Sequence, residues 1–415
     1  MRLVVITKEP YNDEFERTGT HRPTNGQRKF FTVLTISSLL TLTLIIILAA
    51  VGISSGPTLS GEEPHAFVKF GYVLDVFMLQ VATIQLLVDV IVGVILMIAF
   101  IQGYSRFRKG YRDSILTEDD YRFIWKMAPI RAAACVFTAI IVTGIAFFGG
   151  TVQPNVNELH YNFERLPMSL DELRIVQLSD VHGGPTIGRV TIESIVTQVN
   201  SLDADIIVLT GDIIDGKVST FKAALLPLKK LKSRRGIYLC TGNHEYMVNL
   251  QELDKWMEVF REFGIRPLRN ERVTIFADHT LTWSNREGLT RYPQNGLLTM
   301  EDKELLDYLS LNTTQVEWPT GHQVPNVQEP ADIEGFYLAG IEDFSTKTGT
   351  VGIQPDPEMS FGNRLDNRTL VVLAHQPSHI FDIAEFRPEL VLSGHTHGGQ
   401  IFPNHIRVAL ENPYL

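Results

Sequence analysis

The sequence predicts an α/β domain on a largely parallel, buried sheet, preceded by an N-terminal α-helical membrane region. Three observations carry this prediction. Apolar runs long enough to cross a bilayer crowd the first third of the chain. After residue 172, short apolar runs alternate with stretches of helical spacing, the pattern of strands joined by crossover helices. Five of those runs also end directly in Asp, Asn or His, and polar ligands at the carboxyl ends of parallel strands mark a site.

The chain has 415 residues, enough for more than one domain. A polar segment, 1–29, leads into a membrane region, 30–150, with spans expected at 30–53, 77–101 and 132–149. The first span reads FFTVLTISSLLTLTLIIILAAVGI and carries no charge. Its long polar leader, ending at Lys29, fits a retained anchor rather than a cleaved signal. The second span holds Gln80, Gln85 and Asp89. Asp89 is read as facing a neighbouring helix and satisfied locally or protonated, because nothing else in the chain resembles an ion pathway. Arg2, Lys8, Arg17, Arg22, Arg28 and Lys29 precede the first span, and a second basic run lies between the second and third. By the positive-inside rule the N-terminus is cytoplasmic, so three crossings leave the rest of this multi-pass chain on the non-cytoplasmic side. One extra crossing would reverse that orientation. The sequons at Asn312 and Asn367 suit such a side, although tripeptides of this kind are common by chance.

A net charge of −10 and the lack of a basic stripe interleaved with aromatics argue against a nucleic-acid surface. Two cysteines, Cys135 and Cys240, are too few for a disulfide framework or a thiolate metal site.

Past a linker, 151–172, the elements follow in order. A strand is expected at 173–178 (LRIVQL), then a break at SDVHGG, then a helix at 189–202 spaced by Val190, Ile192, Ile195, Val196 and Val199. The unit returns as a strand at 205–210 ending in Gly211-Asp212, with a helix near 221–231. It returns again as a strand at 236–240 ending in Gly242-Asn243-His244-Glu245, with a helix near 250–263. Residues 284–335 are rich in polar residues, Pro and Gly, and are expected to be a long insertion or loop with at most a short helix at 302–310. Strands resume at 336–341 and at 370–374, the latter ending in His375. A helix near 380–386 and a strand at 389–393 lead into GHTHGGQ at 394–400.

Asp180 with His182, Asp212, Asn243 with His244, His375, and His395 with His397 thus all follow apolar strands. Each alone is an ordinary turn, helix cap or loop. In an extended Asp-x-His the i and i+2 side chains point the same way, so Asp180 and His182 are expected to share one ion. Carboxylates, an amide oxygen and imidazoles without thiolates suit two divalent cations such as Mn, Fe, Zn or Mg, with Asp212 as the natural bridge. Two such ions, about 3.5–4 Å apart, make a hydroxide from bound water and clamp the attacking and leaving oxygens at phosphorus, so phosphate-ester hydrolysis is the first-choice reaction.

These blocks, in the longer forms SDVHGGPTIGR, TGDIIDG, TGNHEY, LAHQP and LSGHTHGGQIFP, resemble the five-block signature of the calcineurin-like metallophosphoesterases. Behind membrane spans, they are similar to transmembrane proteins with a metallophosphoesterase domain. The resemblance covers 173 to the end. It implies a β-sandwich flanked by helices, with one metal on Asp180, His182, Asp212 and His397. A second metal would take Asp212, Asn243, His375 and His395. It makes His244 a catalytic group beside the scissile phosphate rather than a ligand. Gly183, Gly184, Gly398 and Gly399 are then expected to let phosphate and backbone approach closely, and Asp215 and Glu245 to orient His244 or the ligands from behind. The family continues past its last block with further strands, so the domain 173–415 is expected to be cut short or finished differently.

The substrate class expected is a phosphate ester, with a diester or lipid-linked phosphate favoured because the anchor holds the site near a lipid bilayer. The alternative is a catalytically weak or inactive membrane receptor or scaffold that retains the fold. A transporter built on Asp89 is a more distant reading.

Overall fold

The structure is a computed structural model that describes residues 66–108, 123, 126–151, 153–247, 249–277, 334–343, 354–362, 364–365, 367–399 and 404–412, with strand segments at 281–284, 288–291, 314–317 and 323–326. The segment 1–29, the span at 30–53, the short helix at 302–310 and the sequon residue Asn312 lie outside the described residues. The chain divides into two compact units.

The first unit holds helix α1 (Ala66–Arg108) and helix α2 (Ala128–Thr151). Both are long and apolar enough to cross a membrane, over Val76–Ile95 and Pro129–Gly149. Leu86, Ile91, Ile95, Ile145 and Phe148 are exposed, whereas Cys135, Ala139 and Thr143, four residues apart on α2, are buried. Exposed apolar side chains of this kind suit a non-aqueous surrounding. Asp89 accepts a hydrogen bond from Gln85 Nε2, one turn earlier, at 2.9 Å.

The second unit is a four-layer sandwich. Its first sheet is all parallel, in the order β1 (Ile175–Leu178), β2 (Ile206–Thr210), β3 (Ile237–Cys240), β4 (Ile265–Pro267). The crossovers carry α3 (Arg189–Ser201), α4 (Val218–Leu225), and α5 (Asn243–Met247) followed by α6 (Leu250–Glu262). The Asn249 side chain caps α6 by accepting the Glu252 N–H at 2.9 Å.

The second sheet is mixed. It contains β5 (Glu271–Phe276), β6 (Leu281–Ser284), β7 (Gly288–Arg291), β10 (Gly335–Gly340), β11 (Leu370–Leu373) and β12 (Leu390–Leu392), in the order β12-β11-β10-β5-β6-β7. Strands β8 (Thr314–Glu317) and β9 (Gln323–Asn326) form a separate hairpin.

Period-two alternation explains the layers. Ile207, Leu209, Ile237 and Leu239 face α3, α4 and α6, while their neighbours Ile206, Val208, Tyr238 and Cys240 face the second sheet. From the other side Val273, Ile275, Phe336, Leu338, Val371 and Leu373 complete that inner layer. Tyr337, Ala339, Leu370 and Val372 turn outward against Phe361 of α7 (Pro357–Phe361) and Ile383 of α8 (Ile380–Ile383). Both faces of the strands are buried, which is why β2 reads IIVLT without a polar residue until its end. Cys135 and Cys240 are buried free thiols.

The helix-flanked β-sandwich that the resemblance implies is present; what strand–helix alternation alone did not reveal is its second, mixed sheet with β5 to β7, and the edge strand β4 of the first. Strand β5 carries Glu271 and Arg272, both buried; Glu271 pairs with Arg266 at 2.7 Å and accepts the Ser284 hydroxyl at 2.7 Å. Charges that neutralise each other inside a sheet look, in sequence, like a solvated loop. The stretch 284–335, expected to be a long insertion or loop with at most a short helix, supplies β7 and the β8–β9 hairpin.

Candidate metal centre

The site lies where the carboxyl ends of the parallel strands of both sheets meet. Register brings the ends level: Leu178 pairs with Leu209, Thr210 with Cys240, and Leu373 with Leu392. Beyond those pairs the backbone stays laced together. The Asp180 N–H donates to the Gly211 carbonyl at 3.1 Å, His182 N–H to Asp212 at 2.9 Å, and Gly394 N–H to His375 at 2.8 Å. Gln177 Nε2 bridges the two sheets by donating to the Ser393 carbonyl at 2.8 Å.

The turns share one unusual conformation. Asp180, His182, Asp212, His395 and His397 all have positive φ, between 49° and 72°. Left-handed backbone in non-glycine residues is disfavoured and clusters at functional sites. The Asp180-x-His182 segment is therefore not extended, as its spacing suggested; the two side chains converge because left-handed residues flank Val181. Close packing explains Gly211, where an added Cβ would lie 2.6 Å from His375 Nδ1, and Gly394, where it would lie 2.3 Å from Asp180 Oδ2. Gly183 and Gly184, expected to face a ligand, instead abut Leu225 and Asp215.

Asp212 Oδ2 is the focal atom. His375 Nε2 lies 3.0 Å from it, and the Nε2 atoms of His182 and His244 lie 4.0 Å away. On one side His397 Nε2 stands 3.1 Å from His182 Nε2 and 3.2 Å from Asp180 Oδ1. On the other, Asn243 Oδ1 is 2.8 Å from His395 Nδ1 and 3.2 Å from His375 Nε2. Three groups of donor atoms, each within 4.8 Å of one another, result: Asp180, His182 and His397; His182, Asp212 and His244; and Asp212, His375 and His395. Every residue singled out as a ligand or as a catalytic group in the sequence is thus part of one cluster. All the donors are oxygen or imidazole nitrogen, which suits borderline-to-hard divalent ions.

Two carboxylates stand behind the cluster. Asp215 Oδ1 meets His182 Nδ1 at 3.0 Å and His244 Nδ1 at 2.6 Å, so one oxygen fixes both rings with Nε2 turned to the centre. Glu245 is wholly buried and accepts the N–H groups of Asp212, Ile213 and Gly242 at 2.9, 2.7 and 2.7 Å. It holds the Asp212 turn rather than His244.

The electrostatics follow from this crowding. Burial raises the Asp180 and Asp215 carboxyls, but hydrogen bonds with His397 and Ser179 for the first, and with His182 and His244 for the second, bring each down to about 2. Burial lowers His375, yet the Asp212 carboxylate outweighs it and lifts the imidazole to about 9. The Asp215 hydrogen bond raises His244, and burial with the nearby His375 charge lowers His395. Burial, with the Asp212 charge, pushes Glu245 up to about 7 against its backbone donors.

Glu342 and Asp343, both fully buried at the end of β10, were missed. Asp343 accepts Gln376 Nε2 at 3.0 and 3.2 Å, beside His375. Like the other residues of the site, the pair follows an apolar strand, which is the one signal of it in the sequence.

A helix-flanked β-sandwich with imidazoles and carboxylates gathered at its strand ends defines a metallophosphoesterase-type domain. The model of the calcineurin-like phosphoesterases matches residues 173–399, and the chain belongs to that family. This family uses divalent metal ions. The chain is similar to the "Transmembrane protein with metallophosphoesterase domain" of Bos taurus, 30% identical over 289 residues, covering 69% of this chain and 54% of that protein. Its counterpart from Danio rerio is 31% identical over 285 residues, covering 67% and 53%. The chain spans about half the length of these two relatives. A third relative, "UDP-2,3-diacylglucosamine pyrophosphatase LpxG" of Chlamydia trachomatis, is 26% identical over 278 residues, covering 64% and 79%.

Proposed function

We propose that this chain is a membrane-anchored phosphohydrolase that works with two divalent metal ions and cleaves a phosphate ester, a diester in preference. The observation that carries the reading is Asp212, whose Oδ2 faces imidazole nitrogens on both sides and so offers one carboxylate to two ion sites. One site draws on Asp180, His182, Asp212 and His397, the other on Asp212, Asn243, His375 and His395. When bound, the ions supply an activated water and offset charge at phosphorus. The chain's own residues do the rest. Asp215 keeps the Nδ1 atoms of His182 and His244 engaged, so His244 presents Nε2 to the scissile phosphate and passes a proton to the departing oxygen. Glu245 keeps the Asp212 turn in place through backbone hydrogen bonds.

A lipid-linked substrate at the bilayer is supported by the pyrophosphatase relative, which by its name acts on a diacylated sugar nucleotide. The distribution of basic residues around the spans supports a catalytic domain, 173–415, on the non-cytoplasmic side.

The test is hydrolysis of bis(p-nitrophenyl) phosphate and p-nitrophenyl phosphate by the detergent-solubilised chain with Mn. Turnover of the diester that EDTA abolishes and Mn restores is expected, with Asp212→Asn lowering it by at least about a thousandfold. A protein that binds Mn but turns over neither ester would instead be a scaffold that keeps the fold.

A further inference from the structure

Behind Asn243 and His375, away from Asp215, a second set of buried polar groups joins the two sheets. Glu342 sits just past β10 of the mixed sheet and is fully buried. Its Oε2 accepts the hydroxyl of Thr241 at 2.7 Å and also that of Tyr246. Those two residues bracket Gly242, Asn243, His244 and Glu245 on the parallel sheet. The hydroxyls are themselves 3.3 Å apart, so the loop is pinched shut at its base over one carboxylate oxygen. The other oxygen, Oε1, accepts Arg269 Nε at 2.5 Å, which neutralises the charge that burial would otherwise penalise. Burial and the Glu342 charge raise the Tyr246 phenol, so it stays protonated and able to donate. The backbone is fixed too: the Glu342 N–H donates to Asn270 Oδ1 at 3.0 Å.

The adjacent residue performs the same task for the other loop. Asp343 receives Gln376 Nε2 on both carboxylate oxygens, and Gln376 directly follows His375. Because β10 and β11 are parallel neighbours, the ends of both strands arrive together, and Asp343 meets the loop that β11 delivers. Two consecutive carboxylates therefore grip the two loops whose side chains, Asn243 and His375, approach each other at 3.2 Å. The side-chain bonds of these grips run to Thr241, Tyr246, Arg269 and Gln376.

We propose that Glu342 and Asp343 are positioning residues for one half of the centre, setting the distance between Asn243 and His375 and so the affinity of that half for its ion. The inference rests on the two-ion reading above and goes beyond it by assigning one half its own support. Groups that orient metal ligands from behind commonly contribute a factor of about 10–100 in affinity.

The test uses the full chain in detergent. The double variant Thr241→Val, Tyr246→Phe removes both hydroxyls at nearly constant volume and leaves the Glu342–Arg269 pair intact. Calorimetric Mn titration should show one of the two affinities weakened roughly tenfold and the other within about twofold. In the paramagnetic resonance spectrum, at an Mn level that fills both wild-type sites, the coupled two-Mn signal should give way to that of isolated Mn. Gln376→Met, which releases Asp343, should weaken the same half, and Thr241→Ser should restore wild-type behaviour. Unchanged affinities, or both falling in parallel with the melting temperature, would overturn the proposal. A wild-type chain that binds no Mn sinks the two-ion reading itself, and this inference with it. A wild-type chain that binds two while the variants lose neither sinks this inference alone.

Discussion

On one side of Asp212, His375 is fully buried and its Nδ1 points at the Thr210 carbonyl, 2.7 Å away. On the other side, the His182, His244 and His397 side chains keep 16%, 31% and 25% of their surface open, and the first two share Asp215. The closed half is braced by backbone and by Glu342 and Asp343. The open half is braced by a single carboxylate that is itself partly exposed. On the proposed two-ion reading such a centre separates two tasks: the closed half fixes one ion, and the open half meets the substrate, so rate and proton transfer concentrate there.

The sharpest way to break this division is at His244. Replacement by Gln should lower kcat about a hundredfold while leaving the Mn stoichiometry at the wild-type value, because the proposed role of His244 is in the reaction and not in holding the ions. Equilibrium dialysis beside steady-state kinetics checks both parts. Loss of an ion together with activity would merge His244 into the metal site and erase the distinction.

Asp215→Asn should have a smaller effect, roughly tenfold on kcat, since the rings it orients remain present. Its mark is a changed pH profile: without the carboxylate that raises His244, the imidazole should lose its proton at lower pH, and the basic limb of kcat should move down. An unmoved limb would assign the proton to another group.

The mildest test sharpens the closed half. In the metal-free protein the His375 imidazole is raised to about 9, above its ordinary 6.5. A group raised on folding contributes stability fully present below its unfolded pKa and lost as pH climbs through the folded one. The EDTA-treated protein should therefore lose melting temperature between about pH 6.5 and 9, and His375→Gln should flatten that slope. For the same reason Mn binding at neutral pH should displace a proton from His375, and Mn affinity should rise with pH towards 9. Titrations in buffers of different ionisation enthalpy measure the proton released.

How much of this was legible in the sequence depends on how each feature is written there. Parallel strands buried on both faces appear as uninterrupted apolar runs, so β1, β2, β3, β10, β11 and β12 could all be read, with their ends correct to a residue or two. The residues of the cluster could be read because each follows such a run. Strand β5 could not, because its Glu271 and Arg272 are buried, Glu271 against Arg266, a residue no periodicity connects to it. Glu342 and Asp343 follow an apolar run as the ligands do, but acidic residues at a strand end are ordinary, and only the fold brings Tyr246, Arg269 and Gln376 to them. The geometry of Asp180-x-His182 is the reverse case: the two side chains do come together, but not through the extended backbone that the spacing suggests.

The left-handed turns have a consequence for anyone who edits this centre. Asp, Asn and His are enriched among the non-glycine residues that occupy this region of backbone space, and they are also side chains that offer oxygen or nitrogen to a metal. At Asp180 and Asp212 the vocabulary of the turn and the vocabulary of the ion overlap. An Asp→Asn exchange there keeps the backbone preference and alters only the charge and one acceptor oxygen, which makes these positions unusually clean places to ask what a carboxylate does. Alanine, the customary probe, would pose two questions at once.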